Sequence, residues 1–193
     1  MRKKAVRIWA QRRLIPVMSS SLDHESIFRS WLEEHRGIVI KVARSFAQTP
    51  GDVADLQQEA MLQLWISLPS YAGQAKPSTW IYRVCLNTAL TWRRKTVRRE
   101  RRFEPGADIA QVMADAASPA ERAGERELLE KLYAAVHALP EFDRALVLLS
   151  LDGLAYREMA EITGLNENQV GVALTRARKR LAQLMKGVTD ELE

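Results

Sequence analysis

YREMAEITGLNENQVGVALTRARKRLAQL, residues 156–184, decides the fold of this chain. Tyr156 to about Thr163 has the spacing of one short helix, with Met159, Ala160 and Ile162 turned inward. Gly164 ends it, because glycine takes the positive φ of a helix C-terminus without a side-chain clash. Asn166 and Gln169 then stand in the relation of a capping box. Beyond them Val170, Leu174, Ala177, Leu181 and Leu184 recur at spacings of 4, 3, 4 and 3, which makes one buried stripe. The other side carries Asn168, Thr175, Arg176, Arg178 and Lys179. Two short helices joined by a glycine turn, the second with a basic and amide face, form a helix-turn-helix. Ala160 is small where the helices cross, and Val170 plugs the angle between them. The competing reading is a plain helical hairpin whose basic face is only solvated. The rest of the chain decides between the two.

The chain has 193 residues, room for one large or two small domains, and 47% of them are hydrophobic, ample for a helical core. With 7 prolines, 9 glycines and little β-branched alternation, an all-α fold is expected. A net charge of +5 suits a polyanionic partner. Its placement says more than its total. Residues 1–20 hold six Lys/Arg and no acid, residues 91–102 hold seven against one acid, and residues 103–130 hold seven Asp/Glu against two Arg. Cys85 is the single cysteine, which excludes an intramolecular disulfide and a cysteine zinc cluster; it reads as a small core residue. No apolar run approaches the roughly 20 residues of a membrane span, and Arg12 and Arg13 interrupt any signal-peptide core, so a cytoplasmic location without membrane insertion is expected.

Residues 1–22 read as a basic, disordered extension. Residues 1–20 are either a DNA-touching arm or a segment upstream of an internal start at Met18. Residues 23–48 follow the helical period through Ile27, Phe28, Trp31, Leu32, Ile38, Val39, Val42, Ala43 and Phe46, and Pro50-Gly51 is expected to end that helix. Asp52 is then placed to cap a second helix whose core stripe is Val53, Leu56, Ala60, Leu64 and Leu68. Its second stripe, Asp55, Glu59, Leu62 and Ile66, mixes carboxylates with aliphatics. That stripe is either a protein-docking face or a solvated one.

After Pro69 and the loop YAGQAKPS, Ser78 is expected to cap a third helix with Ile81, Val84, Cys85, Thr88 and Trp92 on its apolar side. Trp80, Arg83, Asn87, Thr91 and Arg94 line another side at spacings of 3, 4, 4 and 3. These are nucleic-acid-contacting types. Trp80 taken alone is more often core than a base-stacking platform. The whole stripe, running into Arg93, Arg94, Lys95, Arg98 and Arg99, makes DNA contact the better reading. Residues 103–118 read as a flexible acidic linker, and Ser118-Pro119-Ala120-Glu121 as a helix start. Leu128, Leu129, Leu132, Ala135, Val136 and Leu139 continue that helix. Pro140 opens the next, with Phe142, Ala145, Leu146 and Leu149 inward and Asp152-Gly153 closing it. The expected organisation is two small helical domains, residues 23–102 and 119–186, the second containing the helix-turn-helix, followed by a tail at 187–193.

Over residues 25–186 that order resembles the extracytoplasmic-function group of bacterial sigma factors. DVADLQQEAMLQLW looks like the family's polymerase-clamp-binding helix and STWIYRVCLNTALTWRRK like its promoter-melting helix. The segment LPEFDRALVLLSLDGLAYREMAEITGLNENQVGVALTRARKRL looks like its upstream-element-binding domain. The resemblance implies that Asp52, Asp55 and Glu59, with Leu62 and Ile66 beside them, dock on the polymerase. It implies that the loop containing Gly73, Gln74, Lys76 and Ser78 takes up a flipped base of the downstream element. Trp80, Arg83 and Asn87 would line the melted strand, with Thr91, Arg93, Arg94 and Lys95 continuing that surface. The helix from Glu167 would enter the major groove. Its contacts would come from Glu167, Asn168, Gln169, Val172, Thr175, Arg176, Arg178 and Lys179, with Tyr156 and Arg157 from the helix before it. The implied partners are core RNA polymerase, promoter DNA, and an anti-sigma factor or other regulator; no cofactor or metal is implied. The chain departs from the family at two places. Ala54 stands where an acid is frequent, which is expected to weaken polymerase docking. Gly171-Val172-Ala173 stand where basic residues are frequent, leaving upstream contact to Asn168, Thr175, Arg176 and Lys179.

A helix-turn-helix regulator with an N-terminal sensing domain, binding a duplex operator as a dimer, is the alternative from another class. An enzyme is disfavoured: His24, His35 and His137 are scattered, and HExxH, GxGxxG and Walker sequences are absent.

Overall fold

In the computed structural model the backbone is described over residues 21–100 and 122–189, and side chains over 24–98 and 128–186. Seven α-helices account for the described residues, with no strand among them: α1 Ser21–Phe46, α2 Pro50–Ser67, α3 Pro77–Glu100, α4 Arg122–Ala138, α5 Glu141–Leu151, α6 Tyr156–Thr163 and α7 Glu167–Thr189. A 3-10 turn, Leu68–Ser70, follows α2. The basic extension, the linker at 103–118, the Ser118–Glu121 helix start and the tail at 190–193 lie outside the described residues.

The first three helices pack on one another. Val39, Val42 and Phe46 of α1 meet Leu56, Ala60 and Leu64 of α2 and Ile81, Cys85 and Ala89 of α3. Burial pushes the Cys85 thiol up to about 12, so it is an inert core residue, as its neighbours in sequence suggest. Two helix starts differ from expectation. Thr49, and not Asp52, caps α2: its Oγ1 accepts the Asp52 N–H at 3.1 Å, and Pro50 takes the first helical position. Proline there loses no hydrogen bond and has its φ preset, so Pro50-Gly51 begins α2 instead of ending α1. The same physics starts α3 at Pro77, which moves Ser78 from the cap into the first turn.

In the C-terminal group, Leu146 and Leu149 of α5, Met159 and Ile162 of α6, and Val170 and Leu174 of α7 are fully buried. Gly164 has φ 72 as the turn requires, and Asn166 and Gln169 cap reciprocally: the Gln169 N–H donates to Asn166 Oδ1 at 2.9 Å and the Asn166 N–H to Gln169 Oε1 at 3.1 Å. Phe142, expected inward, is 40% exposed, and Leu128 and Leu129 of α4 are exposed at 59% and 45%. α4 and α5 bury narrower arcs than their apolar content suggests.

The two groups also pack on each other, with α4 and α5 against α1 and α6 against α3; the main apolar cluster runs through both, and Val136, Leu139, Val147 and Ala177 form a second one. Arg144 of α5 is pinned at this seam. Nε donates to the Val136 carbonyl at 3.1 Å, Nη2 to Leu139 at 3.1 Å and Nη1 to Ser45 of α1 at 3.1 Å, while the guanidinium lies 5.2 Å from the Phe46 ring centroid. A buried cation thus closes the carbonyl ends of α4 and α1, where the helix dipoles are negative. Two ion pairs rim the seam: Lys41 with Asp152 at 2.5 Å and Lys76 with Glu158 at 2.8 Å. Solvent screens such exposed pairs, so they contribute little, and apolar burial and Arg144 hold the seam.

Candidate nucleic-acid interface

On α7 the buried stripe is Val170, Leu174 and Ala177, with Leu181 half-buried. That geometry forces Asn168, Val172, Thr175, Arg176 and Lys179 outward, and all five are exposed. Arg178 is also exposed and donates to Ser150 Oγ, which ties it to α5. Glu167 and Gln169 are exposed at the helix start, and Tyr156 and Arg157 at the start of α6. Cations and amides on one outward face, carried by a helix whose other face is locked into the core, form a surface for a phosphate backbone and base edges.

The second surface begins at the loop between α2 and α3. Gly73 takes φ 68, which a side chain would resist, and Tyr71 Oη donates to the Ala75 carbonyl at 2.6 Å across the loop. Gln74 and Lys76 are exposed and Ser78 is half-buried. Lys76 reaches Glu158 on α6, whose carboxylate also accepts the Ala155 N–H at 3.0 Å. The hydrogen bond to Glu158 raises the Lys76 pKa, and the same bond, helped by the Ala155 N–H, lowers that of Glu158. Along α3, Arg83, Thr91, Arg94 and Lys95 are exposed, and Asn87 and Arg93 are half-buried.

Trp80 does not share this surface. It is 5% exposed, and its ring meets Trp31 at 5.7 Å and Tyr71 at 5.6 Å between centroids, edge to face. The reading of Trp80 as a lining of the melted strand is therefore corrected: its ring is core, and it positions the loop through Tyr71.

The third surface is on α2. Asp55, Leu62 and Ile66 are exposed, while Asp52 and Glu59 are half-buried, so the mixed stripe is outward as a set. Asp52 is partly engaged, accepting the Thr49 hydroxyl at 2.8 Å, and Glu59 accepts from Gln63 at 3.1 Å. The sequence reading missed Trp65, which is 43% exposed, stands three residues after Leu62 and next to Ile66 in the chain, and meets the Phe28 ring at 5.1 Å. Its position three residues after Leu62 was the available signal. Three large apolar side chains exposed together beside carboxylates are what a protein partner covers.

One helical group with a polar and basic face and an apolar-acidic stripe, joined to a helix-turn-helix, is the architecture of a sigma-70-type promoter-recognition subunit. Family models agree: residues 31–99 match Sigma-70 region 2 and residues 129–181 match Sigma-70, region 4. The ECF RNA polymerase sigma-E factor of Escherichia coli strain K12 is 30% identical over 142 residues, covering 68% of this chain and 72% of that protein. That of Haemophilus influenzae is 28% identical over 137 residues, covering 67% and 72%. The chain belongs to the extracytoplasmic-function (ECF) group of RNA polymerase sigma factors.

Solved structures share the fold. CnrH in complex with the cytosolic domain of CnrY matches with TM-score 0.61 and 20% identity, over 84% of this chain and 90% of that one. The sigma factor RpoE in complex with the anti-sigma factor NepR, from Bartonella quintana, matches with TM-score 0.61 and 21% identity, over 85% and 97%. Among the described residues no helix is long and apolar enough to cross a membrane.

Proposed function

We propose that this alternative sigma factor divides its work among the three surfaces. The α2 stripe, Asp52, Asp55, Glu59, Leu62 and Ile66, docks on core RNA polymerase, and Trp65 is added to it. The loop at Gly73, Gln74, Lys76 and Ser78, with Arg83, Asn87, Thr91, Arg93, Arg94 and Lys95 of α3, holds the opened downstream element. The exposed face of α7, with Tyr156 and Arg157, binds the duplex upstream element. Residues 23–102 and 119–186 act as the two functional domains in the cytoplasm, without catalytic chemistry of their own. An anti-sigma factor is a fitting regulator, since two structural neighbours of this fold are held by CnrY and NepR.

The observation that carries this reading is the coexistence, on one chain matching both sigma regions, of an exposed basic and amide face on α7 and a separate polar and basic face on α3. A duplex-only regulator needs the first and has no use for the second, which is why the sensing-regulator alternative is not favoured.

Removing one cation from α7 separates its DNA contact from the other two surfaces. With core polymerase present, Arg176→Ala is expected to weaken upstream-element binding by about 1–3 kcal/mol if the contact is to a base edge. A lost phosphate contact would instead lower the slope of log K against log salt by about 0.9. Arg176 is exposed, so thermal unfolding should be unchanged. Unaltered affinity and slope would remove α7 from the interface.

A further inference from the structure

The first two turns of α7 differ from a basic reading head. Val172 lies about 140–160° around the helix from each of Val170, Leu174 and Ala177, at the 100° per residue of an α-helix. Those three are 0% exposed and Val172 is 54% exposed, the outermost apolar side chain of the helix start. Beside it, a Cβ added at Gly171 would meet Cε2 of Tyr156 at 3.3 Å and Cδ2 at 3.8 Å. The Tyr156 ring therefore rests against α7 in the place a longer side chain at 171 would occupy. From Glu167 to Thr175 the helix has no Lys or Arg. Glu167 sits only about 60° from Val170, on the flank of the buried stripe. Before Arg176, Gln169 is engaged in the cap with Asn166 and the Thr175 hydroxyl donates to the Gly171 carbonyl at 2.8 Å, so the reading face is left with Asn168 and, one turn on, Val172.

The N-terminal residues of a recognition helix meet base edges, and Arg or Lys is the usual reader of guanine O6 and N7. With neither present, the guanine contact is missing from these turns. A valine side chain has one favourable feature to meet in the major groove, the C5-methyl group of thymine, and an asparagine matches adenine N6 and N7 in a bidentate pair. Four residues of helix span about 6 Å, close to two base steps of about 3.4 Å. We infer that the first two turns of α7 read adjacent A·T pairs of the upstream element, with Val172 against a thymine methyl and Asn168 on an adenine edge. The inference rests on α7 entering the major groove, as proposed above.

The test uses the full chain with core polymerase. Preferred upstream elements are selected from randomised promoter duplexes, and each selected thymine is then replaced by uracil, which removes only the methyl. At one position uracil should weaken binding about four-fold, the factor for burying one carbon. Val172→Ala should erase that thymine-over-uracil preference, and Val172→Arg should move the selected base toward guanine. Val172 is exposed, so thermal melting of both variants should match the parent. Uracil tolerated at every position, or an undiminished uracil penalty in Val172→Ala, overturns the inference while leaving groove binding intact. A holoenzyme that selects no upstream sequence overturns the placement of α7 as well.

Discussion

The double variant Asp55→Lys with Glu59→Lys is expected to abolish transcription dependent on this chain while leaving its folding almost unchanged. Asp55 is exposed and Glu59 half-buried, and α2 is held by Leu56, Ala60 and Leu64 on its opposite side. Neither carboxylate supports that core, so helicity and Tm should stay near those of the parent. At a docked interface the same change replaces two attractions with two repulsions. Hot-spot losses are about 2 kcal/mol or more each, which together amount to roughly a thousand-fold in affinity for the polymerase. Pull-down of core polymerase and a melting curve on the same preparation separate binding from folding. Unimpaired polymerase capture would show that the α2 stripe is only a solvated face.

Trp80→Ala is expected to act in the opposite way, through stability first. The ring is 5% exposed and packs against Trp31 and Tyr71, so truncation should cost about 3–5 kcal/mol and lower Tm by roughly 10 °C. Tyr71 closes the loop through its bond to Ala75, so downstream-element binding should fall as the loop loses its support. Trp80→Phe, which keeps most of the apolar volume, should recover much of both. A Trp80→Ala chain with unchanged Tm but no strand opening would show the indole itself on the DNA.

Trp80 also marks where sequence reading stops. The helix-turn-helix was legible because α7 buries a single stripe, and because the Asn166 and Gln169 side chains each bond to the other's backbone, so local spacing contains the whole arrangement. The core stripe of α2 was legible for the same reason. By contrast α3 packs against α1, α2 and α6, so its buried arc is wide and swallows Trp80, the first member of a stripe that is otherwise open. Periodicity finds a face and cannot say how many neighbours a helix has. The helix starts at Pro50 and Pro77 were misplaced because proline serves both as breaker and as first helical residue. The buried position of Arg144 was invisible. Its acceptors are carbonyls of Ser45 and Val136–Leu139, brought together only by the packing of the two helical groups. The exposure of the charges on α2, α3 and α7 was legible, since it follows from knowing the opposite face.

Together with core polymerase, this chain is expected to open promoter DNA. Permanganate reactivity of promoter thymines tests it most directly, because only unstacked thymines react. With core polymerase and the parent chain, reactive thymines should appear within the downstream element, and with either component alone they should not. Asn87→Ala, which shortens a half-buried amide on the open face of α3, should keep the closed complex yet slow the appearance of those thymines. Tight binding of duplex DNA by the chain alone, with no reactive thymines when polymerase is added, would contradict the account and restore the operator-binding regulator.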